Sequence, residues 1–272
     1  MPISPTTLLG VDFTCVPSRR KAITVAFGSL HGAVLRFERL ESLTDLAAFE
    51  ALLQRPGPWL GAFDFPFGLP REFVDSLGLG NDCAAVIGEL QRRCPTRLDF
   101  RALVDAWGNR RRAGDRLIHR ATDVATAGIR SSSPLQTRYV PVGFMYYEGL
   151  SRLLRAGLTL PRLHQGDGTR IALEGYPGLL AHELIGRRSY KNSDAADRLI
   201  ARKDLVDALE QGRWRGLRIR LTHAQREALV DDASGDRLDA VLCLLQAGWA
   251  ATQPGHGMPA AVDPVEGWIT GV

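Results

Sequence analysis

Carboxylates interrupt or end runs of residues that otherwise belong in a buried sheet. That placement restricts this chain more than any other feature. Asp12 lies inside Leu8-Leu9-Gly10-Val11-Asp12-Phe13-Thr14, Asp64 closes Trp59-Leu60-Gly61-Ala62-Phe63-Asp64, and Glu174 closes Ile171-Ala172-Leu173-Glu174. Asp236 and Asp239 open a long apolar run that continues through Leu245. An acid among apolar groups is costly unless something compensates it. Where several acids converge, a hard divalent cation is the usual compensator. Strand ends are also where open α/β sheets gather their ligands.

The apolar periodicity sets the order of elements. Thr7–Thr14, Ala22–Phe27 and Ala33–Glu38 read as three strands joined by short breaks, as in an antiparallel meander. Ser42–Gln54 has helical spacing, with Ser42 or Thr44 as its cap, and Pro56-Gly57-Pro58 ends it. Trp59–Phe65 is a fourth strand. From Pro70 to about Gly157 the alternation stops, and a helical insertion is expected: Pro70–Leu77, Cys83–Arg93, Phe100–Arg112 and Phe144–Ala156, with a loop over Ala127–Gly143. A fifth strand, Arg170–Glu174, follows. Helices are then expected over Tyr176–Ile185, Asp194–Gln211, Thr222–Val230 (Thr222 as cap) and Ser234–Thr252 (Ser234 as cap), with a short edge strand at Val265–Ile269.

These 272 residues suit one α/β domain, residues 1–272, with its insertion at about 70–157. No apolar run reaches the roughly 20 residues that cross a bilayer, so no membrane partner is expected. Met1-Pro2-Ile3-Ser4-Pro5 lacks the form of a signal peptide, which points to a cytoplasmic protein. Cys15, Cys83, Cys94 and Cys243 form no Cys-x-x-Cys pair, which argues against disulfides or structural zinc.

The net charge of +4 says little by itself. Its make-up says more. Lys21, Lys191 and Lys203 are the only lysines among 34 basic residues. Biased composition explains this, and so does phosphate recognition by arginine's planar fork. Arginines crowd the stretch from Arg92 to Arg138, including Arg110, Arg111 and Arg112. Such an excess fits a polyanion footprint, and fits a solvated helix face equally well. Arg187, Arg188 and Lys191 form a second basic group, where Tyr190 would be available to stack on a base.

Spaced i and i+3, Asp236 and Asp239 share a helix face and meet the positive end of the helix dipole. Together with Asp12, Asp64 and Glu174 they make a candidate catalytic cluster. Convergent carboxylates repel one another and partly protonate without a cation. Mg²⁺ or Mn²⁺ suits such oxygen ligands. Two such ions about 3.5–4 Å apart clamp the attacking and leaving oxygens of a phosphodiester.

Gly10-Val11-Asp12-Phe13-Thr14, Phe63-Asp64-Phe65-Pro66-Phe67-Gly68-Leu69-Pro70, Glu174-Gly175-Tyr176-Pro177 and Gly235-Asp236-Arg237-Leu238-Asp239-Ala240 resemble, in order and spacing, the motifs of the domain-of-unknown-function 429 (DUF429) family, described as predicted RNase H-like nucleases. The resemblance implies a five-stranded mixed sheet in the order 3-2-1-4-5, with strand 2 antiparallel and helices on both sides. It also implies a nuclease that cuts DNA or RNA at a divalent-metal site. Asp12 matches the first-strand acid, Asp64 the fourth-strand acid and Asp239 the last-helix acid. Asp236 with Asp239 is similar to the paired final acids of bacterial Holliday-junction resolvases, which places Asp12, Asp64, Asp236 and Asp239 on the metal and favours a homodimer. Glu174 ends the fifth strand, beside this set. The insertion departs from a minimal RNase H domain.

Two other readings share these residues. Gly10-Val11-Asp12-Phe13-Thr14 also resembles the first phosphate loop of the actin and sugar-kinase superfamily, an ATP-dependent phosphotransferase fold, although no second loop of that kind is evident. A non-catalytic nucleic-acid-binding module on the same fold is the other. His182-Glu183-Leu184-Ile185-Gly186 lacks a zincin's second histidine, and Gly78-Leu79-Gly80 lacks a dinucleotide fingerprint's third glycine.

Overall fold

Alternation along the first strand decides the layering. The computed structural model describes residues 7–272, so the expectation attached to Met1-Pro2-Ile3-Ser4-Pro5 lies outside the described residues. Strand β1 is Thr7–Asp12. Its Leu9 and Val11 join one hydrophobic core and Leu8 joins the other. This is the period of two expected of a strand covered on both faces.

The meander continues with β2 (Ile23–His31) and β3 (Val34–Leu43), both longer than the apolar pattern predicts. The extension is held by charged side chains on the outer surface. Arg39 lies 3.8 Å from the centroid of the Phe27 ring and donates to Glu41 at 2.9 Å. Helix α1 (Leu46–Leu53) therefore starts later than expected, and neither Ser42 nor Thr44 caps it. Asp45 does, accepting from the Ala48 amide at 2.7 Å. Strand β4 is Trp59–Phe63.

The insertion folds as α2 (Arg71–Leu77), α3 (Cys83–Arg93), α4 (Arg97–Gly108) and α5 (Val142–Arg155). A capping box between Thr96 and Asp99 starts α4 three residues before the expected Phe100. The helix ends at Gly108, so Arg110, Arg111 and Arg112 lie beyond it rather than on it. The chain returns as β5 (Arg170–Glu174), α6 (Pro177–Ile185), α7 (Ala196–Glu210), β6 (Arg218–Arg220), α8 (His223–Val230) and α9 (Asp236–Thr252). Thr222 caps α8 as expected. Gly235, with φ 82°, occupies the cap position of α9 in place of Ser234.

The sheet is mixed and six-stranded, in the order β5-β4-β1-β2-β3-β6. This corrects the expected five strands and extends the expected order 3-2-1-4-5 by a sixth strand beyond β3. Strand β6 pairs in parallel with β3 through Arg218, Ile219 and Arg220. Three residues with one apolar centre carry no readable period, which is why the sequence did not announce it. Strand β2 runs antiparallel to both β1 and β3, while β4 is parallel to β1 and to β5. The expected edge strand at Val265–Ile269 reduces to a single bridge between Ile269 and Glu174.

Helices cover both faces. Residues of α1 to α5 share one core with Leu9, Val11 and Phe63, so the insertion builds that layer. Residues of α6 to α9 share the other core with Leu8, Leu60 and Leu173. Helix α9 lies directly on β1. A Cβ at Gly10 would stand 2.0 Å from the Ala240 carbonyl oxygen and 2.1 Å from the Leu244 amide nitrogen. Gly10 therefore serves this close approach, which accounts for it without the phosphate loop of the phosphotransferase reading. Among the described residues, no helix is long and apolar enough to cross a membrane.

Candidate metal centre

Register places the first two acids. In the parallel ladder of β1 and β4, Gly10 pairs with Ala62 and Val11 with Phe63. The Asp64 amide continues the ladder, donating to the Val11 carbonyl at 2.9 Å. Asp12 and Asp64 thus leave adjacent strands side by side, on the face where Gly10 meets α9. The packing of Ala240 against Gly10 brings the first turn of α9, and with it Asp239, onto the same spot. Carboxylate oxygens of Asp12, Asp64 and Asp239 all lie within 4.8 Å of one another. Asp12 and Asp239 are buried and Asp64 is half-buried.

The group carries more negative charge than its surroundings neutralise. Among the described residues, no hydrogen bond reaches the carboxylates of Asp12 or Asp64. Asp239 accepts from the Tyr190 hydroxyl and from the Lys191 ammonium. Burial pushes the Asp12 carboxyl well above its ordinary pKa, and the charges of Asp239, Asp64 and Asp236 add to that. Burial, with Asp239 next, pushes Asp64 up to about 7. Asp239 is also raised, by burial, against the opposing pull of Lys191 and Tyr190. For Lys191, burial works against the charged form, but Asp239, Asp64 and Asp12 outweigh it and raise its pKa.

Three carboxylates with no nitrogen or sulfur donor among them are a hard, oxygen-only ligand set that could hold a metal ion. Their spacing is close to the span of ligands on one ion, about 4 Å across at a metal–oxygen distance of roughly 2.1 Å.

The remaining expected site residues fall elsewhere. Asp236 stands one turn away with its carboxylate on Lys21 at 2.5 Å, outside the convergent three. Glu174 is buried and held by Arg120 at 2.5 and 2.8 Å and by the Phe67 amide at 2.8 Å. Arg120 is bound in turn by Asp123 at 2.8 Å. This closed group keeps Glu174 apart from the other acids.

The basic residues divide as well. Tyr190 is 5% exposed with its hydroxyl on Asp239, so its ring is not available for base stacking, correcting that expectation. Lys191 faces the carboxylates rather than an outer phosphate track. Gly235 makes room for it, since a Cβ there would stand 2.8 Å from the Lys191 side chain. Arg188 pairs with Asp204 at 2.5 Å, and Arg187 is exposed. Arg111 pairs with Glu72 at 2.5 Å and lies over the Trp107 ring. Arg110 and Arg112 are exposed.

Sequence reasoning missed Lys21 and misplaced Lys191, although a signal was present. Arginine replaces lysine almost everywhere in this chain, yet two of its three lysines reach these acids.

A family model described as "Protein of unknown function (DUF429)" matches residues 10–263. No curated protein and no solved structure matches the chain.

Proposed function

The chain belongs to the DUF429 family, and we propose that it is an RNase H-like nuclease that hydrolyses nucleic-acid phosphodiester bonds at a Mg²⁺ or Mn²⁺ site. One observation carries this reading. Asp12, Asp64 and Asp239, from two parallel strands and the helix packed on them, present an oxygen-only cluster with excess negative charge. The neighbour order β5-β4-β1-β2-β3, with β2 antiparallel, supports the RNase H-like assignment.

A divalent ion bound there would supply Lewis acidity toward a phosphodiester and would make water more acidic. The protein's own groups do the rest. Asp12, Asp64 and Asp239 would hold the cation. Tyr190 orients Asp239 through its hydroxyl, as outer groups orient metal ligands. Lys191 brings a compact ammonium to the same place, where it neutralises part of the negative charge on the phosphate. Arginine's broader fork does not substitute for such a point charge. Lys21 restrains Asp236 at the rim.

The deciding experiment is cleavage of single-stranded, duplex and branched DNA and RNA with Mg²⁺, Mn²⁺ or EDTA, beside Asp12→Asn. Wild-type cleavage requires the metal, and Asp12→Asn lowers turnover by about 10²–10³-fold or more, the scale of one transition-state-stabilising group. Wild-type activity in Asp12→Asn, or cleavage unaffected by EDTA, overturns the proposal.

A further inference from the structure

A pocket of about 200 Å³ opens beside the triad. Asp64 and Lys191 border one end of it. Phe65 and Pro66, the residues that follow Asp64, line it together with Val142 and Met145 of α5 and with Tyr176. The insertion therefore supplies one wall of a cavity that meets the carboxylate cluster at Asp64.

Three features define what fits. The volume is below the roughly 300–1,000 Å³ of pockets for drug-sized ligands, so it suits one ring system rather than a base pair. The charged groups deep in the lining, Arg120 and Glu174, are bound to each other at 2.5 Å and to other partners, leaving no free cation to receive a phosphate. The rest of the lining is largely apolar, with Ser131, Ser132 and Tyr176 as its uncharged polar residues. An uncharged flat ring with polar edges matches this lining. A phosphate group does not, and belongs instead at the Asp64 end.

The rim carries a further sign. Val140, in the pocket lining, is 62% exposed; the preceding Tyr139, outside that lining, is 99% exposed with φ 59°. A bulky residue held at positive φ is strained, and here the strained residue presents an aromatic ring to solvent. Aromatic platforms of this kind stack on unpaired bases without regard to sequence.

We propose that this pocket receives one unpaired nucleobase, attached to the phosphodiester held at Asp12, Asp64 and Asp239. The preferred substrate is then a single strand or an unpaired strand end rather than an intact duplex. The inference rests on the nuclease reading for the phosphodiester, and its test separates the two.

The four nucleoside 5′-monophosphates are titrated calorimetrically, with Mn²⁺ present, into wild type and into Val142→Trp and Met145→Trp, two variants that fill the pocket from half-buried positions. At least one monophosphate binds wild type, and both variants weaken it about tenfold or more. Mn²⁺ titrated alone binds all three proteins alike, and their melting curves coincide. Absence of monophosphate binding to wild type, or unchanged binding in both tryptophan variants, overturns the pocket. Cleavage is measured separately. Monophosphate binding that the tryptophan variants abolish, with no cleavage by wild type, keeps the pocket and removes the nuclease. Metal-dependent cleavage that cuts duplex as readily as single strands and ignores both variants keeps the nuclease and removes the pocket.

Discussion

Two groups of buried acids sit near the same end of the parallel strands β1, β4 and β5 and solve the same problem in opposite ways. Glu174 and Asp123, each 2% exposed, enclose Arg120, which is 1% exposed. The guanidinium donates to both carboxylates and to the Glu266 carbonyl, and Glu174 takes the Phe67 amide besides. Burial works against the charged Arg120, but Glu174 and Asp123 outweigh it and raise its pKa. Asp12, Asp64 and Asp239 are gathered as tightly, yet one ammonium touches one of them directly. A buried acid with its own arginine is part of the framework. Buried acids left with surplus charge require something from outside.

The largest effect that tests this contrast comes from the satisfied group. Arg120→Met leaves Glu174 and Asp123 buried without their counter-ion and costs about 3–5 kcal/mol, the scale for breaking a buried pair by removing one partner. Urea denaturation measures it as a lower midpoint at unchanged slope. The folded protein keeps its Mn²⁺ affinity, because the arginine does not reach the triad. A loss under about 1 kcal/mol, the range of exposed pairs, erases the distinction between the two groups.

The triad responds in the opposite sense. Asp64 has a folded pKa near 7 against an ordinary 3.8. Between those values the native state binds more protons than the unfolded state. Metal-free stability therefore falls as pH rises through that window. Asp64→Asn removes the ionisation and raises the metal-free stability at pH 8 by up to a few kcal/mol, while it weakens Mn²⁺ binding. Thermal melts at pH 5 and pH 8, in EDTA and in Mn²⁺, read both changes. A wild-type melting temperature that does not fall between pH 5 and pH 8 in EDTA rejects the account of surplus charge.

A smaller effect separates Lys191 from a merely structural lysine. It competes with the cation for Asp239, so Lys191→Ala binds Mn²⁺ about tenfold more tightly, one step of 1.4 kcal/mol. Its turnover nevertheless falls, about 10–100-fold, as for other groups that support metal ligands. Lys191→Arg does not restore turnover, because the guanidinium is broad and planar. Calorimetry and turnover moving in the same direction contradict this role.

The same contrast explains what was legible in the sequence. Asp12 and Asp64 were readable because strand alternation exposes any acid in an apolar run, and Asp239 because apolar residues surround it on a helix. Glu174 gave the same signal, but its partner Arg120 stands 54 residues earlier in an irregular segment, and only tertiary packing joins them. Tyr190 looked like a loop aromatic until the first turn of α9 closed over it. Strand β6 was too short to show a period, and α4, started by the Thr96 box, ended at Gly108 before Arg110.

The smallest effect concerns the arginines of the insertion, whose count suggested a polyanion footprint. Most of that charge is internally matched. Arg92 and Arg93 bond Glu89, Arg97 pairs with Glu148, and Arg138 holds Asp105 with two hydrogen bonds. Arg111 also lies over Trp107 and pairs with Glu72, leaving Arg110, Arg112, Arg116 and Arg130 exposed without an ion-pair partner among the described residues. The combined Arg110→Ala, Arg111→Ala and Arg112→Ala variant therefore gives up few phosphate contacts. Each lost contact lowers the slope of log affinity against log salt by about 0.7–0.9, so the expected change is about one to two. Binding of a labelled single strand to wild type and the triple variant, in EDTA and over a range of salt, measures it. An unchanged slope removes the insertion from the binding surface, and leaves the pocket wall as its contribution to the site.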